Sequence, residues 1–476
     1  MTSTFDAVVV GAGPNGLAAA IELSRSGLGV LLVEANQTIG GSARTEALTL
    51  PGFRHDVGSA VYPLGIGSPY LDSLPLREHG LDWVHPPVPL AHPLDGGRAV
   101  MLRRDIEATA GGLGRDSGAY RRWVGPFARR WSSFAHHVLD APTKLPRNPL
   151  LMMRFGVRAL RPATKQARAF HTPEARALLA GNAAHSGVPL GDSLSGAVGV
   201  TLMIAAHAVG WPMPRGGAGR LTDSMASYFQ SLGGTIETGR RVISLEELPA
   251  ARAILLALTN RQVAQVAGPR LPDAYRSRLE SWRYGPGTFK VDWALDSPIP
   301  WEAEEVGQAG TVHLGGTLEE IAEAECRPAR GDAPERPFVL LAQPTLFDSS
   351  RAPAGKHTAW AYCHVPNGWA GDATAAIEAQ VERYAPGFRD RIVARRTHGP
   401  PQLEAWNANL VGGDVNGGAL TISQTFGPRR WSLHPWSTPV PHLYVCSASR
   451  PPGGGVHGMV GYHAAREALR RTFGRP

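Results

Sequence analysis

A chain of 476 residues exceeds one ordinary hydrophobic core, so two structural domains are expected. Its 43% hydrophobic and 18% charged residues are a normal globular composition, and three isolated cysteines (Cys326, Cys363, Cys446) exclude CxxC dithiol chemistry and argue against a disulfide framework. A net charge of +8 raises the question of nucleic acid, but no aromatic-basic recognition module accompanies it, so no nucleic-acid partner is expected.

Only Lys144, Lys165, Lys290 and Lys356 are lysines among 48 basic residues, an arginine bias that with 56 Gly and 40 Pro points to a GC-rich, bacterial coding sequence. The first strand starts almost at once, so no leader peptide is expected, and the few cysteines fit a reducing cytoplasm.

Asp6 to Val10 is a short apolar strand that runs into Gly11-Ala12-Gly13-Pro14-Asn15-Gly16. Leu17 to Leu23 then reads as a helix, and Gly29 to Val33 as a second strand ending at Glu34 and Ala35. This is the βαβ dinucleotide fingerprint in its required context. Gly11 allows the tight turn, Gly13 lets the backbone approach a pyrophosphate, and Gly16 lets helix and strand pack closely. The helix N-terminus, opened by Pro14 and Asn15, offers free N–H groups to phosphate, and Glu34 is placed to accept hydrogen bonds from an adenosine ribose.

Two loops follow: Gly40-Gly41-Ser42-Ala43-Arg44-Thr45 and His55-Asp56-Val57-Gly58-Ser59. Further on, Lys144 to Arg168 is basic and apolar, either an interfacial helix on an anionic membrane or, the favoured reading, a helix packed on the protein with its arginines in water. The uncharged run Ser193 to Met213 holds too many small residues for a membrane span and reads as a buried helix.

Leu221 to Leu232 is an amphipathic helix stopped by Gly233-Gly234. Thr235–Thr238 and Arg241–Leu245 read as strands around Gly239, and Ile254 to Leu258 as another. Phe289 to Leu295 alternates, with Phe289, Val291, Trp293 and Leu295 on one side and Lys290 and Asp292 on the other. Phe338–Gln343 and Thr358–His364 look like sheet strands, and Ala373–Tyr384 a helix. At the end come a strand, His442–Cys446, a glycine-rich turn, Pro451 to Gly458, and a helix from Met459 to Arg471.

With these residues the chain resembles the phytoene-desaturase-like and amine-oxidase superfamily of flavoproteins over nearly its whole length. The resemblance is strongest to the branch that includes pyridine nucleotide-disulfide oxidoreductase domain-containing protein 2. It rests on the fingerprint, the GGxxRT-like Gly40–Thr45, the DxG-like Asp56–Gly58 and the glycine-rich C-terminal turn. It implies an α/β fold, a Rossmann-like FAD-binding domain with an interleaved α+β substrate domain. The FAD-binding domain would comprise residues 1–90, 215–265 and 430–476, and the substrate-binding domain 91–214 and 266–429.

The resemblance also implies non-covalent FAD. Gly41, Ser42 and Ala43 would run past the pyrophosphate, Arg44 would neutralise its charge, and Gly58 and Ser59 would lie against the flavin end. Val242 would hold the adenine through backbone groups. Gly455, Val456 and His457 would start a helix whose positive end faces the flavin edge that gains negative charge on reduction. Many relatives carry Gly-Asp after the last strand where this chain has Ser447-Ala448-Ser449, so Ser447 or backbone groups would replace the Asp.

Three side chains are catalytic candidates. Lys290 matches the strand on which monoamine-oxidase-type enzymes carry a lysine bonded through water to flavin N5; an ion pair with Asp292 is the equal alternative. His457 is a base or, preferably, a hydrogen-bonded spacer. Asn416, in a glycine-rich loop, lies over the flavin face or in a plain β-turn. No second strand–GxGxxG–helix unit follows, so no NAD(P) domain is expected and electrons would leave to O2, a quinone or a protein acceptor. The expected reaction is hydride abstraction from a C–C or C–N single bond of an apolar small molecule. An amine or amino-acid oxidase is one alternative, and a non-redox FAD isomerase or lipid-binding protein another.

Overall fold

The computed structural model describes residues 5–140, 144–426 and 433–475. Strand β1 (Ala7–Val10), helix α1 (Pro14–Arg25) and strand β2 (Val30–Val33) open the chain as expected. Strands β3 (Val88–Leu94) and β4 (Arg98–Leu102) precede a helical stretch that includes α2 (Pro149–Ala159), α3 (Pro173–Ala184), α4 (Ser195–Ala208) and α5 (Gly219–Ser231). Next come β5 (Thr235–Glu237), β6 (Ala253–Leu256), β7 (Gly287–Leu295), β8 (Ala309–Leu314), α6 (Leu318–Arg330), β9 (Val339–Ala342) and β10 (His357–Val365). Helix α7 (Thr374–Tyr384), β11 (Ile392–His398), β12 (Leu443–Val445) and α8 (Met459–Phe473) complete the frame.

The strands form two main sheets. The first has the order β12-β6-β1-β2-β5, every pairing parallel. Its central strands, Ala7–Val10 and Val30–Val33, are apolar and buried throughout, as a parallel sheet covered on both faces requires. The second has the order β11-β7-β10-β9-β8-β3-β4, antiparallel except for β8 against β3. Its strands come from two separated stretches of chain, 88–102 and 287–398.

Helices α1 and α8 pack against each other under the first sheet. A Cβ at Gly461 would lie 1.9 Å from the Asn15 carbonyl oxygen, so only glycine permits this approach. Helix α4 is apolar and largely buried, as read from Ser193–Met213; among the described residues no helix is long and apolar enough to cross a membrane.

One expected strand is missing. Arg241–Leu245 is irregular, ending in a short 3-10 turn at Leu245–Glu247. Its backbone bonds to a nearby side chain rather than in a ladder: Ile243 N donates to Glu247 Oε2 (3.1 Å). The β-branched pair Val242-Ile243 misled the reading, since propensity yields to such bonds.

Candidate functional site

A cleft of about 110 Å³ opens at the C-terminal ends of β1, β2 and β6, where ligands bind in open parallel sheets. Gly11, Gly13, Glu34, Ala35, Gly41 and Val242 line it, together with Asn36, Arg240, Arg241, Gln262 and Trp406–Asn409. A wider groove of about 560 Å³ lies along the outer strand β5, but it is shallow and touches no residue of the glycine turn. The smaller cleft is the one that meets the glycine turn.

Each glycine of the turn has its own constraint. Gly11 has φ +101°, and a Cβ at Gly16 would sit 1.8 Å from the Gly11 carbonyl oxygen. Gly13 differs: its φ of −74° suits any residue, and its nearest protein neighbour, Gly41 Cα, would be 3.7 Å from an added Cβ. Nothing in the protein requires glycine there, so the requirement lies with whatever occupies the space. No side chain caps the N-terminus of α1, whose first turn leaves N–H groups free, and Asn15 Oδ1 is buried without a partner.

Glu34 does more than wait for a ribose. Its Oε2 accepts from Ala12 N (2.8 Å), pinning the glycine turn to β2, and its Oε1 accepts from Asn36 N (2.9 Å) and Nδ2 (3.1 Å). A carboxylate offers about four acceptor directions, so one remains for a ligand hydroxyl. This donor set, an open glycine turn, a free helix end, a buried carboxylate and Arg240–Arg241, fits the adenosine–pyrophosphate half of a dinucleotide.

Arg44 is buried beside the cleft. It donates to Thr38 Oγ1 (3.1 Å), stands 3.4 Å from Glu46, and stacks 4.1 Å from the Trp406 ring centroid. Burial pulls its guanidinium below its usual pKa while Glu46 and Glu34 oppose this. Ser42 Oγ accepts from Asn407 Nδ2 (3.1 Å), and Ala43 N bonds to the Gly40 carbonyl (2.8 Å). Residues 406–409 thus form a wall that nothing in the sequence announced.

From the cleft a continuous strip leads to the C-terminal turn. Ser59 N donates to the Ser42 carbonyl, and a Cβ at Gly58 would lie 2.3 Å from that oxygen. Ser59 Oγ meets the Tyr62 hydroxyl (2.9 Å), and a Cβ at Gly65 would be 3.2 Å from the Val456 carbonyl oxygen. Val456 has φ +54°, which is strained for a β-branched residue and marks the turn as held for a purpose.

His457 is 1% exposed; its Nδ1 accepts from Met459 N (3.1 Å) and Ser68 donates to its carbonyl (2.6 Å). Burial lowers its pKa to about 4, so the ring is neutral, and its Nδ1 bond to the Met459 amide suits the spacer role. Gly455 has φ +125° and packs on Leu64. Asn416 meets this turn: its carbonyl oxygen would lie 3.6 Å from a Cβ at Gly454. Its own N–H donates to Asp414 Oδ1 (2.7 Å), so the loop is also a tight turn. The Ser447 hydroxyl bonds Ser449 Oγ (2.7 Å), which donates to Asn260 Oδ1.

Lys290 is not at the cleft. It lies 2% exposed on β7 in an ion pair with Asp292 Oδ2, 5.3 Å from the Trp360 ring centroid. The alternation of β7 is as read, but both faces are buried: Phe289, Val291, Trp293 and Leu295 enter one core, while Lys290 and Asp292 meet His55 and Trp360. Burial pushes the Asp292 carboxyl up to about 6 even with Lys290 beside it. His55, 3.6 Å away, is lowered to about 3 by burial, then by Lys290 and Arg351, and is therefore neutral. Arg351 pairs with Asp56 (2.8 Å), whose other oxygen accepts from Thr45 and Ala218 N. This network joins the His55–Asp56 loop to the second sheet.

The comparisons bear on this geometry directly. Residues 9–73 match the NAD(P)-binding Rossmann-like domain. That segment is similar to the first βαβ unit of a dinucleotide-binding domain. The whole chain is similar to pyridine nucleotide-disulfide oxidoreductase domain-containing protein 2 of Mus musculus, 26% identical over 98% of this chain and 93% of that protein. Phytoene dehydrogenase of Streptomyces griseus is 26% identical over 81% of this chain and 77% of its own. A redesigned putrescine oxidase shares the fold, with a TM-score of 0.64 at 18% identity, covering 99% of both chains. The resemblance to the phytoene-desaturase and amine-oxidase flavoproteins holds, and with it the α/β fold class.

Proposed function

We propose that the protein binds FAD non-covalently and takes hydride from a C–C or C–N single bond of a largely apolar small molecule, passing electrons to a quinone or O2. The observation that carries this reading is the Gly11–Gly16 cleft with the buried Glu34 carboxylate and the uncapped N-terminus of α1, from which a strip of contacts through Ser42 and Ser59 runs to the Val456 turn.

FAD in that strip would supply the hydride acceptor. The chain's part is binding and orientation. The free N–H groups of α1 and Arg44 would face phosphate, Glu34 a ribose hydroxyl, and Arg240–Val242 the adenine side. The strained Val456 turn brings the N-terminal end of α8 to the far end of the strip, where partial positive charge stabilises electron-rich groups. Trp360 and Tyr362, stacked at 6.0 Å, and the buried helices α3 and α4 pack one apolar core against the second sheet.

The domain division 1–90, 215–265 and 430–476 against 91–214 and 266–429 belongs to this proposal. The engagement of Lys290 by Asp292 supports the dehydrogenase version over the amine-oxidase version, which needs a lysine free to act at the flavin. The test is anaerobic titration of the purified holoprotein with apolar amines, polyenes and NADPH, following the visible flavin band. Bleaching by an apolar donor but not by micromolar NADPH is expected. Rapid, saturable reduction by NADPH alone would contradict the proposal.

A further inference from the structure

Of the ten large apolar side chains exposed among the described residues, five fall within residues 145–160: Leu145, Leu150, Met153, Val157 and Leu160, at 93, 75, 64, 55 and 51% exposure. Leu150, Met153 and Val157 recur at the i, i+3, i+7 spacing that makes one stripe along α2, and Leu160 at its C-cap extends it. The opposite stripe, Leu151, Phe155 and Ala159, is buried. Phe155 packs edge-on against Phe134 (4.9 Å) and Phe127 (6.0 Å). The helix is thus anchored by one apolar face and presents a second to solvent.

The charge around it has one sign. Residues 144–168 contain Lys144, Arg147, Arg154, Arg158, Arg161, Lys165 and Arg168 and no Asp or Glu. Lys144 is paired with Asp140 (2.9 Å). Arg154 and Arg158 donate to the carbonyls of Arg122 and Trp123, which fixes the side chains without neutralising them. Arg147, Arg161, Lys165 and Arg168 are exposed and make no ion pair among the described residues.

We propose that α2 and its flanks form a docking surface for a bilayer containing anionic lipid. An apolar stripe rimmed by arginine enters the headgroup–acyl boundary while the basic groups meet lipid phosphates and carboxylates. Nucleic acid would use the charge but leave the stripe in water, and a lipid surface needs no shape match to a smooth helical ridge. The sequence favoured a helix packed on the protein; the structure has that helix with a second apolar face besides. This inference is independent of the redox reading.

The experiment is co-sedimentation of the full-length protein with vesicles of phosphatidylcholine alone or mixed with phosphatidylserine. The protein should bind the mixed vesicles, release at high salt, and bind pure phosphatidylcholine poorly. Leu150→Ser with Met153→Ser and Val157→Ser should lower partitioning at least about tenfold with an unchanged thermal midpoint, because the three side chains are exposed. Arg147→Glu with Arg161→Glu should lower it similarly. Failure of the wild type to bind mixed vesicles, or wild-type binding by the serine variant, would overturn the proposal. So would a wild-type dimer in solution that the serine substitutions dissociate, since the stripe would then belong to a second copy.

Discussion

Replacing Lys290 by Met removes the ammonium from a pair in which both partners are buried while keeping an unbranched apolar stem. Asp292, 0% exposed, then faces neutral His55, the Asp56 carboxylate and an Arg351 already held by that carboxylate. Breaking a buried pair by deleting one partner costs about 3–5 kcal/mol as a rule. Here Asp292 has an escape, because it can take up a proton. Burial already holds its carboxyl up at about 6, so only a modest further rise neutralises it at pH 7, and the loss falls below that range. A net loss of about 2 kcal/mol follows, lowering the thermal midpoint by about 2 °C in a protein of this size.

The assay is thermal and urea unfolding of Lys290→Met, Asp292→Asn and the double variant, at pH 7.5 and pH 5.5. Each single variant should be less stable than wild type at pH 7.5, and the double variant should recover most of the loss. The deficit of Lys290→Met should shrink at pH 5.5, because Asp292 is then protonated in the folded state whether or not the lysine is present. A Lys290→Met protein as stable as wild type at pH 7.5, with slowed flavin reoxidation by O2, would refute the ion-pair account and restore the oxidase reading.

Two further outcomes are expected. His55, His92, His185, His207, His398, His457 and His463 are held by burial at about 3 or 4, below the ordinary 6.5. The unfolded chain therefore binds more protons as pH falls through 6.5, and stability drops by about 1 kcal/mol per histidine by pH 5.5; the raised groups Asp292, Asp414, Asp223, Glu22 and His364 act oppositely but are fewer. The midpoint should fall steeply between pH 7.5 and 5.5, and a flat profile would contradict the burial of these rings. Glu34→Ala, which leaves the buried Ala12 N–H without its acceptor, should weaken FAD binding at least about tenfold, an effect of ~1.4 kcal/mol. Equilibrium dialysis of the apoprotein measures it.

The dinucleotide half of the fold was legible because steric limits write it into short segments. Gly16 cannot carry a Cβ against Gly11, nor Gly58 against Ser42, so the residue types themselves report the turns. The cleft's far wall was not legible. Trp406 and Asn407 reach Arg44 and Ser42 across about 360 residues of chain, and nothing local in Glu404–Asn409 signals that destination. The Lys290–Asp292 face of β7 was read correctly as polar, yet its burial depends on the His55–Asp56 loop, which only the tertiary structure brings there. Strands such as Val88–Leu94 escaped notice because Pro89 and Pro93 interrupt the apolar run.

The central claim is that the Gly11–Glu34 cleft holds FAD, and Gly13 tests it most directly. Its backbone (φ −74°, ψ 175°) accepts any residue, and an added Cβ meets protein no closer than 3.7 Å, so Gly13→Val should fold as the wild-type apoprotein does. The account predicts that purified wild type carries one FAD per chain, released on denaturation, and that Gly13→Val is colourless and takes up none when FAD is added. A colourless wild type that binds no FAD, or a Gly13→Val protein that binds it normally, would contradict the account.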